Sequence, residues 1–373
     1  MRYLTGALGV LLIAVLMWDV FEALVLPRRV TRRLRPTRFF YRTTWRLWSA
    51  AAGRMSSSSR RETYLSFYGP LSLLLLLDAW AASLILGFAL IYRAATPLGL
   101  AFGTALYLSG TTFFTLGLGD VVPTGALPRA LAVIEAGTGF AFLAIVIGYL
   151  PVVYQAFSRR EVTVSLLDAR AGSPPSAAEL LRRHAGNTEA LDHLLRDWEL
   201  WSAELLESHL SYPVLSYYRS QHDNQSWLSA LTTVLDASAV IMSAAKAGVA
   251  RQAQLTFAMA RHAVADLAQV LQTPPRPPEP DRLPLETFRE LRRQIAASGV
   301  VVDGDEITFR RLGELRAMYE PYVNALGRRL LMDLPAWTIH GEGADNWRRT
   351  AWEPASSRDP APAPSAPDGP RHF

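Results

Sequence analysis

One hexapeptide in this chain has residue types and spacing that could coordinate a cation. Residues 115–120 read T-L-G-L-G-D. Gly117 and Gly119 permit backbone conformations with positive φ, and a strand that alternates in handedness points successive carbonyl oxygens to one side. Such oxygens could replace the water around a cation, with the Thr115 hydroxyl at one end and the Asp120 carboxylate attracting cations at the other. The same letters also fit an ordinary glycine turn between helices, so the flanking residues must decide.

The flanking residues favour the cation site. The stretch ALYLSGTTFFTLGLGD, residues 105–120, is similar to the pore helix and selectivity filter of the tetrameric potassium channel superfamily. Residues 102–114 are too few to cross a bilayer but enough for a re-entrant helix. The resemblance extends over roughly residues 70–160. It implies that a potassium filter is formed by Thr115, Leu116, Gly117, Leu118, Gly119 and Asp120.

Two residues depart from that family's pattern. Leu118 stands where a tyrosine or phenylalanine is usual, and Phe114 replaces a frequent threonine. In the family the tyrosine hydroxyl commonly braces the filter, whereas Leu118 offers packing alone. The number of backbone carbonyls is unchanged, and leucine at this position resembles one pore of some two-pore-domain channels. Potassium is therefore the expected permeant ion, with a less selective cation pore as the alternative.

The composition excludes several classes of function. The chain has 373 residues, is 50% hydrophobic and contains no cysteine. Disulfides, cysteine-ligated zinc, iron–sulfur clusters and thiol catalysis are therefore excluded. The net charge is +5, and Lys246 is the only lysine among arginines, which gives no indication of a nucleic-acid partner.

Long apolar segments in the first 157 residues predict three transmembrane helices. We expect a first transmembrane helix in 1–27, a basic amphipathic segment in 28–69, and a pore module of transmembrane helix, pore helix, filter and inner helix in 70–157. The arginines of the basic segment should face the cytoplasm, and its aromatic residues suit a helix in the headgroup layer. The N-terminus and the filter entrance then lie outside. A cleaved signal peptide is less suitable for residues 3–26, which are too long and lack a small-residue cleavage site.

One filter strand cannot surround an ion, and no second T-x-G-x-G-D occurs in the chain. Four copies must therefore meet about a fourfold axis, with residues 107–120 and the third span lining the conduit. The expected partners are the lipid bilayer and three further copies of the chain. No cofactor is expected beyond permeant potassium.

Carboxylates within apolar spans are functional candidates because burying their charge is costly. The chain has four of them: Asp19, Glu22, Asp78 and Glu135. Three of these, Asp19, Glu22 and Asp78, could meet in the inner leaflet as a proton or cation sensor, or could instead bond to Trp18, Trp80 or loop arginines. Glu135 is expected near filter depth, where it could brace the filter from behind.

Gating has two sequence candidates in the inner helix. Gly139 lies where many potassium channels carry a glycine proposed as a hinge, although glycine is also common in membrane helices for packing. Pro151 removes an amide donor near the inner end and could kink the helix.

The second half of the chain reads as cytoplasmic and helical. Apolar residues recur at spacings of three and four, and proline-rich stretches separate the segments. The predicted segments are a linker in 158–176, a helical domain in 177–272, a proline-rich linker in 273–284, a helical subdomain in 285–335 and a disordered tail in 336–373. A small hairpin is expected to turn at Asp303 and Gly304.

A polar cluster between the helices of this half offers donor types that bind metals. It contains His209, His222 and Asp223, whose spacing matches no known metal motif, so a hydrogen-bonded network is the favoured interpretation.

Together these patterns predict an all-α membrane protein that is a passive, homotetrameric cation channel and not an enzyme. The alternative is a membrane-tethered helical sensor or scaffold whose pore conducts weakly or without selectivity. A cytoplasmic ligand cannot be named from the sequence. No arginine-repeat helix indicates voltage sensing.

Overall fold

The computed structural model describes residues 2–25, 35–96, 100–221, 224–244, 249–296 and 306–339, and within these ranges the chain is helical without a strand. The membrane half contains α1 (Arg2–Val20) with a π-helical turn (Phe21–Val25), α2 (Pro36–Ala52), α3 (Ser58–Ser66), α4 (Tyr68–Ala95), α5 (Phe102–Phe113) and α6 (Ala126–Ala171). The second half contains α7 (Ala177–Arg183), α8 (Thr188–Ser211), a 3₁₀ helix (Pro213–Tyr217), α9 (Trp227–Ala244), α10 (Val249–Val270), α11 (Leu285–Ala296), α12 (Glu306–Ala317) and α13 (Glu320–Leu330).

Several helices are long and apolar enough to cross a membrane. Among the described residues they are Arg2–Leu24, Ser59–Ala95, Ala126–Ala171 and Trp227–Ala244. The apolar window of Trp227–Ala244 is 89% buried within the protein, against 11% for Ala126–Ala171. Because α9 already buries its surface against other helices, it forms a protein core, whereas α1, α4 and α6 keep apolar faces exposed that suit lipid or a second chain.

The membrane helices pack around small residues. A side chain added at Gly9 of α1 would collide with the Gly87 carbonyl of α4, so the two backbones touch there. Close approach at small residues is the usual way in which membrane helices associate. The short helix α5 packs between α4 and α6, with Ala105 and Leu108 buried against Phe88 of α4.

The inner helix is longer than the sequence predicts. Residues 158–176 read as a linker, but α6 continues without interruption for 46 residues to Ala171. Its last turns carry Val164 and Leu167 at helical spacing, and both are buried in the core of the second half. The helix ends where Gly172 adopts a φ of 85°, a conformation that favours glycine.

The second half is one packed unit, in which the predicted helical domain, proline-rich linker and helical subdomain share a core. One hydrophobic core includes Trp198 of α8, Leu231 of α9, Leu291 of α11 and Leu326 of α13. The stretch 273–284 is irregular, as its prolines predict, but Leu283 is fully buried in the same core. The segments on both sides of 273–284 therefore pack together, and the predicted boundaries at 272 and 285 stay predictions.

The basic helix α2 differs from its predicted surface position. Its Trp45 is buried, lies 4.8 Å from the Tyr68 ring and donates from Nε1 to the Arg329 carbonyl at 2.9 Å. Tyr41 stacks on Tyr217 with the ring centroids 5.9 Å apart. These aromatic side chains join the membrane helices to the helical bundle, while Phe39 stays exposed on the other side.

Some predictions concern residues outside the described ranges. They are the arginines between 28 and 33, the hairpin at 303–304 and nearly all of the tail, 340–373.

Candidate functional site

The backbone of the filter segment, residues 115–120, alternates in handedness. The φ angles of Thr115, Gly117 and Gly119 are 57°, 55° and 80°. Positive φ at the two glycines is what the sequence predicts. Thr115 is less expected, because a β-branched residue rarely adopts the left-handed region, and such strain is typical of functional sites.

The helix that precedes this segment holds its amide groups. The nitrogens of Leu116 and Gly117 donate to the Thr111 carbonyl at 2.8 and 3.3 Å, and the nitrogen of Thr115 donates to the Thr112 carbonyl at 3.0 Å. These bonds turn amides towards the C-terminal end of α5. An alternation of φ of this kind is the one that points successive carbonyl oxygens to one side, where they could coordinate a cation. The negative end of the α5 dipole lies at the same level and also favours cations.

Asp120 is held by the pore helix. The Tyr107 hydroxyl donates to Asp120 Oδ2 at 2.9 Å. Leu118, which replaces the usual aromatic residue, is 64% exposed in the single chain. Tyr107 therefore fixes the position of Asp120, through a bond that Leu118 cannot make. The sequence does not predict this bond, and its available signal is an aromatic residue on the predicted pore helix.

Gly139 is the point at which the inner helix meets the pore helix. A side chain added there would overlap the carbonyl oxygen of Phe113, the last residue of α5. Phe113 is itself buried and packs 5.9 Å from the Phe142 ring. Gly139 thus has a packing role that suffices to explain it, and the hinge role stays a prediction.

Glu135 is fully buried behind the pore helix. It lies within a short hydrogen-bond distance of Ser109 Oγ, which also lies 2.8 Å from the Ile85 carbonyl. The Ser109 hydroxyl therefore has two acceptors within reach, the Glu135 carboxylate and the Ile85 carbonyl. The contact fixes α5 between α4 and α6, but Glu135 touches the pore helix and not the filter segment itself.

The inner helix presents an exposed apolar stripe. Every seventh residue from Val133 through Phe140 and Ile147 to Tyr154 is between 64% and 75% exposed. Pro151 is also exposed, and α6 continues through it as a helix. An exposed apolar stripe of this kind is expected to contact lipid, to line a pore or to pack against a neighbouring chain.

The acids at the other end of the spans do not form the predicted cluster. Asp19 is fully buried and accepts from the amide and hydroxyl of Thr37 at 3.1 and 2.5 Å and from Trp80 Nε1 at 3.2 Å. Asp78 lies on an exposed side of α4, so its predicted meeting with Asp19 and Glu22 is wrong. The reason is geometric, because Trp80 and not Asp78 faces α1 on α4.

Glu22 lies in the π-helical turn. It accepts from Trp18 Nε1 at 2.6 Å and pairs with Arg35 Nε at 3.3 Å. The alternative prediction, that these acids bond to tryptophans and a loop arginine, is therefore confirmed for Asp19 and Glu22.

Arg160 anchors the C-terminal part of the inner helix α6 to the second half of the chain. Its guanidinium group is buried and donates to the Leu215 and Tyr218 carbonyls, each at 2.9 Å, and lies 3.3 Å from His209 Nε2. It also pairs with Glu161. Nothing in the sequence distinguishes Arg160 from the exposed Arg159 beside it, so this anchor was missed.

This contact argues against His209 as a metal ligand. Its Nδ1 donates to the Leu205 carbonyl at 2.8 Å and its Nε2 faces Arg160, so neither nitrogen is free. Burial first, and then the charge of Arg160, hold the pKa of His209 well below its usual 6.5. No metal-binding group occurs among the residues the structure describes, which do not include His222 and Asp223. His209 belongs to a hydrogen-bonded network, the favoured interpretation of the sequence.

Comparison with known proteins agrees with this arrangement. A family described as "Ion channel" matches residues 75–156, which run from α4 through α5 and the filter segment into α6. The uncharacterized membrane protein YdjJ of Bacillus subtilis (strain 168) is 27% identical over 237 residues, or 58% of this chain and 67% of that protein. No solved structure matches the chain. This is a helical protein with several helices able to span a membrane, and its residues 75–156 are similar to the pore module of an ion channel family.

Proposed function

We propose that the protein is a potassium-selective cation channel formed by four copies of the chain. The carbonyl oxygens of residues 115–118 replace the water around the ion, and transport is passive. The observation that carries this proposal is the positive φ of Thr115, because the strain has no purpose in an ordinary turn but is required if successive carbonyls are to face one axis.

The proposed assembly follows from exposure in the single chain. Leu116 and Leu118 are 62% and 64% exposed, as is the apolar stripe along α6. A filter open on its carbonyl side cannot exclude water, whereas four strands about an axis can surround an ion. We place the filter entrance and the N-terminus outside, α1, α4 and α6 across the bilayer, and α2 with the bundle in the cytoplasm. Gating is assigned to the segment of α6 from Gly139 to Pro151.

Ion flux from liposomes tests the proposal. We expect potassium to pass faster than sodium through the purified protein and Gly117→Ala to abolish the flux. The space beside Gly117 is open, so the effect comes from its φ of 55° alone. A left-handed alanine costs about 1–2 kcal/mol per copy, which four copies multiply to about 4–8 kcal/mol.

Gly103→Ala is the matched control. Gly103 lies in the first turn of α5, is exposed, and has nothing within 4 Å of an added side chain, but its backbone is helical. It should leave potassium flux unchanged. Equal sodium and potassium flux would indicate a non-selective pore, and no flux from the wild type would favour a membrane-tethered scaffold.

A further inference from the structure

A cavity lies where the membrane helices meet the helical bundle. It encloses about 620 Å³, and its walls come from the π-helical turn after α1, from α2, α4 and α6, and from the bundle. It is separate from the filter segment, and of the α6 segment to which gating is assigned it is lined by Tyr149. A volume of this size accommodates a small organic molecule or the headgroup end of a larger one.

The cavity carries an excess of positive charge. Among the described residues, its lining includes the arginines Arg35, Arg38, Arg42 and Arg329 and the acid Glu22, which is paired with Arg35. No carboxylate of the described chain pairs with Arg38, Arg42 or Arg329. Burial first, and then the charge of Arg35, lower the pKa of Arg38. Arg42 is exposed, and its guanidinium lies 6.0 Å from the Phe39 ring centroid. Three guanidinium groups on one cavity favour binding of an anion, and phosphate is a preferred partner of arginine.

The opposite wall is apolar. Leu73, Leu76 and Trp80 of α4 line it together with Tyr149 of α6. An inorganic anion would leave this wall in contact with water, whereas an anion attached to a hydrocarbon chain would cover it. The chemistry of the two walls therefore selects an anionic amphiphile.

The position of the cavity along the membrane helices indicates where the anionic amphiphile comes from. Arg38 and Arg42 come from α2, whose first turn is bonded to Asp19 at the end of the α1 span, and Leu73 lies near the start of α4. The apolar spans thus end at the cavity. Anionic lipids of the cytoplasmic leaflet place their phosphates at this level and attract arginines beside membrane helices.

We propose that this cavity binds the headgroup phosphate of an anionic inner-leaflet phospholipid, between Arg38, Arg42 and Arg329, with its acyl chain against Leu73 and Leu76. The lipid would touch both halves of the chain, because Arg329 belongs to the bundle and the other residues to the membrane half. The proposal rests on the placement of α1, α4 and α6 across a bilayer, and it does not rest on conduction or selectivity.

Lipid binding to the delipidated, full-length protein in detergent tests the proposal. Native mass spectrometry would count bound phosphatidylglycerol and phosphatidylcholine during a titration. We expect the wild type to prefer phosphatidylglycerol, and Arg38→Gln/Arg42→Gln to weaken that binding by about tenfold or more, since each arginine near a membrane surface contributes about fivefold.

Arg46→Gln is the matched control, because Arg46 lies one turn further along α2, is exposed and does not line the cavity. It should change binding less than about twofold. Arg329→Gln tests the same site from the bundle side and should weaken binding about fivefold. Trp45 and Tyr217 report folding by near-ultraviolet circular dichroism, so a variant that misfolds is recognised.

Three results would overturn the proposal. One is equal binding of the two lipids by the wild type, and another is the same loss in Arg46→Gln as in the double variant. The third is displacement of phosphatidylglycerol by glycerol 3-phosphate at equal concentration, which would assign the cavity to a soluble phosphate compound. Because this experiment measures lipid binding, its result does not depend on whether the protein shows ion flux in liposomes.

Discussion

Gly139 is the residue at which the inner helix and the pore helix come closest. Because the Phe113 carbonyl occupies the space beside it, we expect Gly139→Ala to destabilise the protein by about 1–3 kcal/mol per chain, the usual cost of overpacking. Denaturant unfolding in detergent, followed by tryptophan fluorescence, would measure the change.

Gly137 provides the control, since it lies on the same helix and has nothing within 4 Å of an added side chain. Gly137→Ala should be neutral or stabilising by up to about 1 kcal/mol, because alanine favours a helix. Equal stability of the two variants, combined with altered channel opening in Gly139→Ala alone, would instead support the hinge.

At the residue scale the sequence predicts which residues adopt positive φ, and it does not predict the side-chain contacts between helices. The positive φ of Gly117 and Gly119 follows from residue type, since few other residues adopt it readily. The Tyr107–Asp120 bond and the Arg160 anchor depend on how helices are rotated about their axes, and residue type does not encode that rotation. Asp78 was misplaced for the same reason.

The joint between α6 and α8 makes the stability of the bundle depend on pH. His209 is buried as a neutral base against Arg160, and its pKa in the folded protein is well below 6.5. As the pH falls below 6.5, the unfolded chain takes up a proton that the folded chain does not. We therefore expect stability to be full above about pH 7 and to fall towards pH 5, by up to about 1.4 kcal/mol per pH unit.

Urea unfolding at pH 7 and pH 5 would measure this slope, and His209→Gln should reduce it. A glutamine amide can donate to the Leu205 carbonyl and accept from Arg160, so it replaces both bonds without titrating. A slope unchanged in His209→Gln would mean that other groups, such as His184, whose pKa burial also lowers, carry the pH dependence.

At the element scale the sequence predicts helices better than it predicts their ends. Apolar periodicity identified α4, α5 and α6, because each must bury a face. The extension of α6 to Ala171 was missed because its last turns bury Val164 and Leu167 against the bundle and not in lipid, so continuous hydrophobicity stops while the helix continues.

Across the whole molecule, an ion-pair network holds the proline-rich stretch against the bundle. Arg282 pairs with Asp236 at 2.7 Å and with Glu320 at 3.0 Å, and the Tyr319 hydroxyl donates to Asp236 at 2.5 Å. Asp236 is fully buried. Arg282→Met would leave that carboxylate without its charge partner, and we expect a loss of about 3–5 kcal/mol together with faster proteolysis at residues 273–284.

Arg289→Met is the comparison, because Arg289 is 56% exposed and pairs with the exposed Glu286. Surface pairs of this kind contribute about 0–1 kcal/mol, so protease resistance should not change. Rapid cleavage of the wild type at 273–284 would contradict the packing of this stretch against the bundle and would indicate an exposed linker.

At this scale the sequence predicts a membrane half and a second half that forms a helical bundle, because the longest apolar segments lie in the first 157 residues. It did not predict that the core of the second half takes in Trp45 and Tyr68 from the first. Contacts between residues nearly three hundred positions apart, such as Trp45 with Arg329, leave no periodic trace in the chain.

The unbroken length of α6 has a mechanical consequence. At 46 residues and a rise of 1.5 Å per residue, it is a rod about 70 Å long, of which a bilayer occupies about 30 Å. The Arg160 side chain holds the C-terminal part of α6 to the bundle. We therefore expect a movement of the bundle to be transmitted along α6 to the proposed permeation path. A tilt of α6 by only a few degrees at Arg160 would displace the N-terminal end of the helix by several ångströms, a distance comparable to the diameter of an ion.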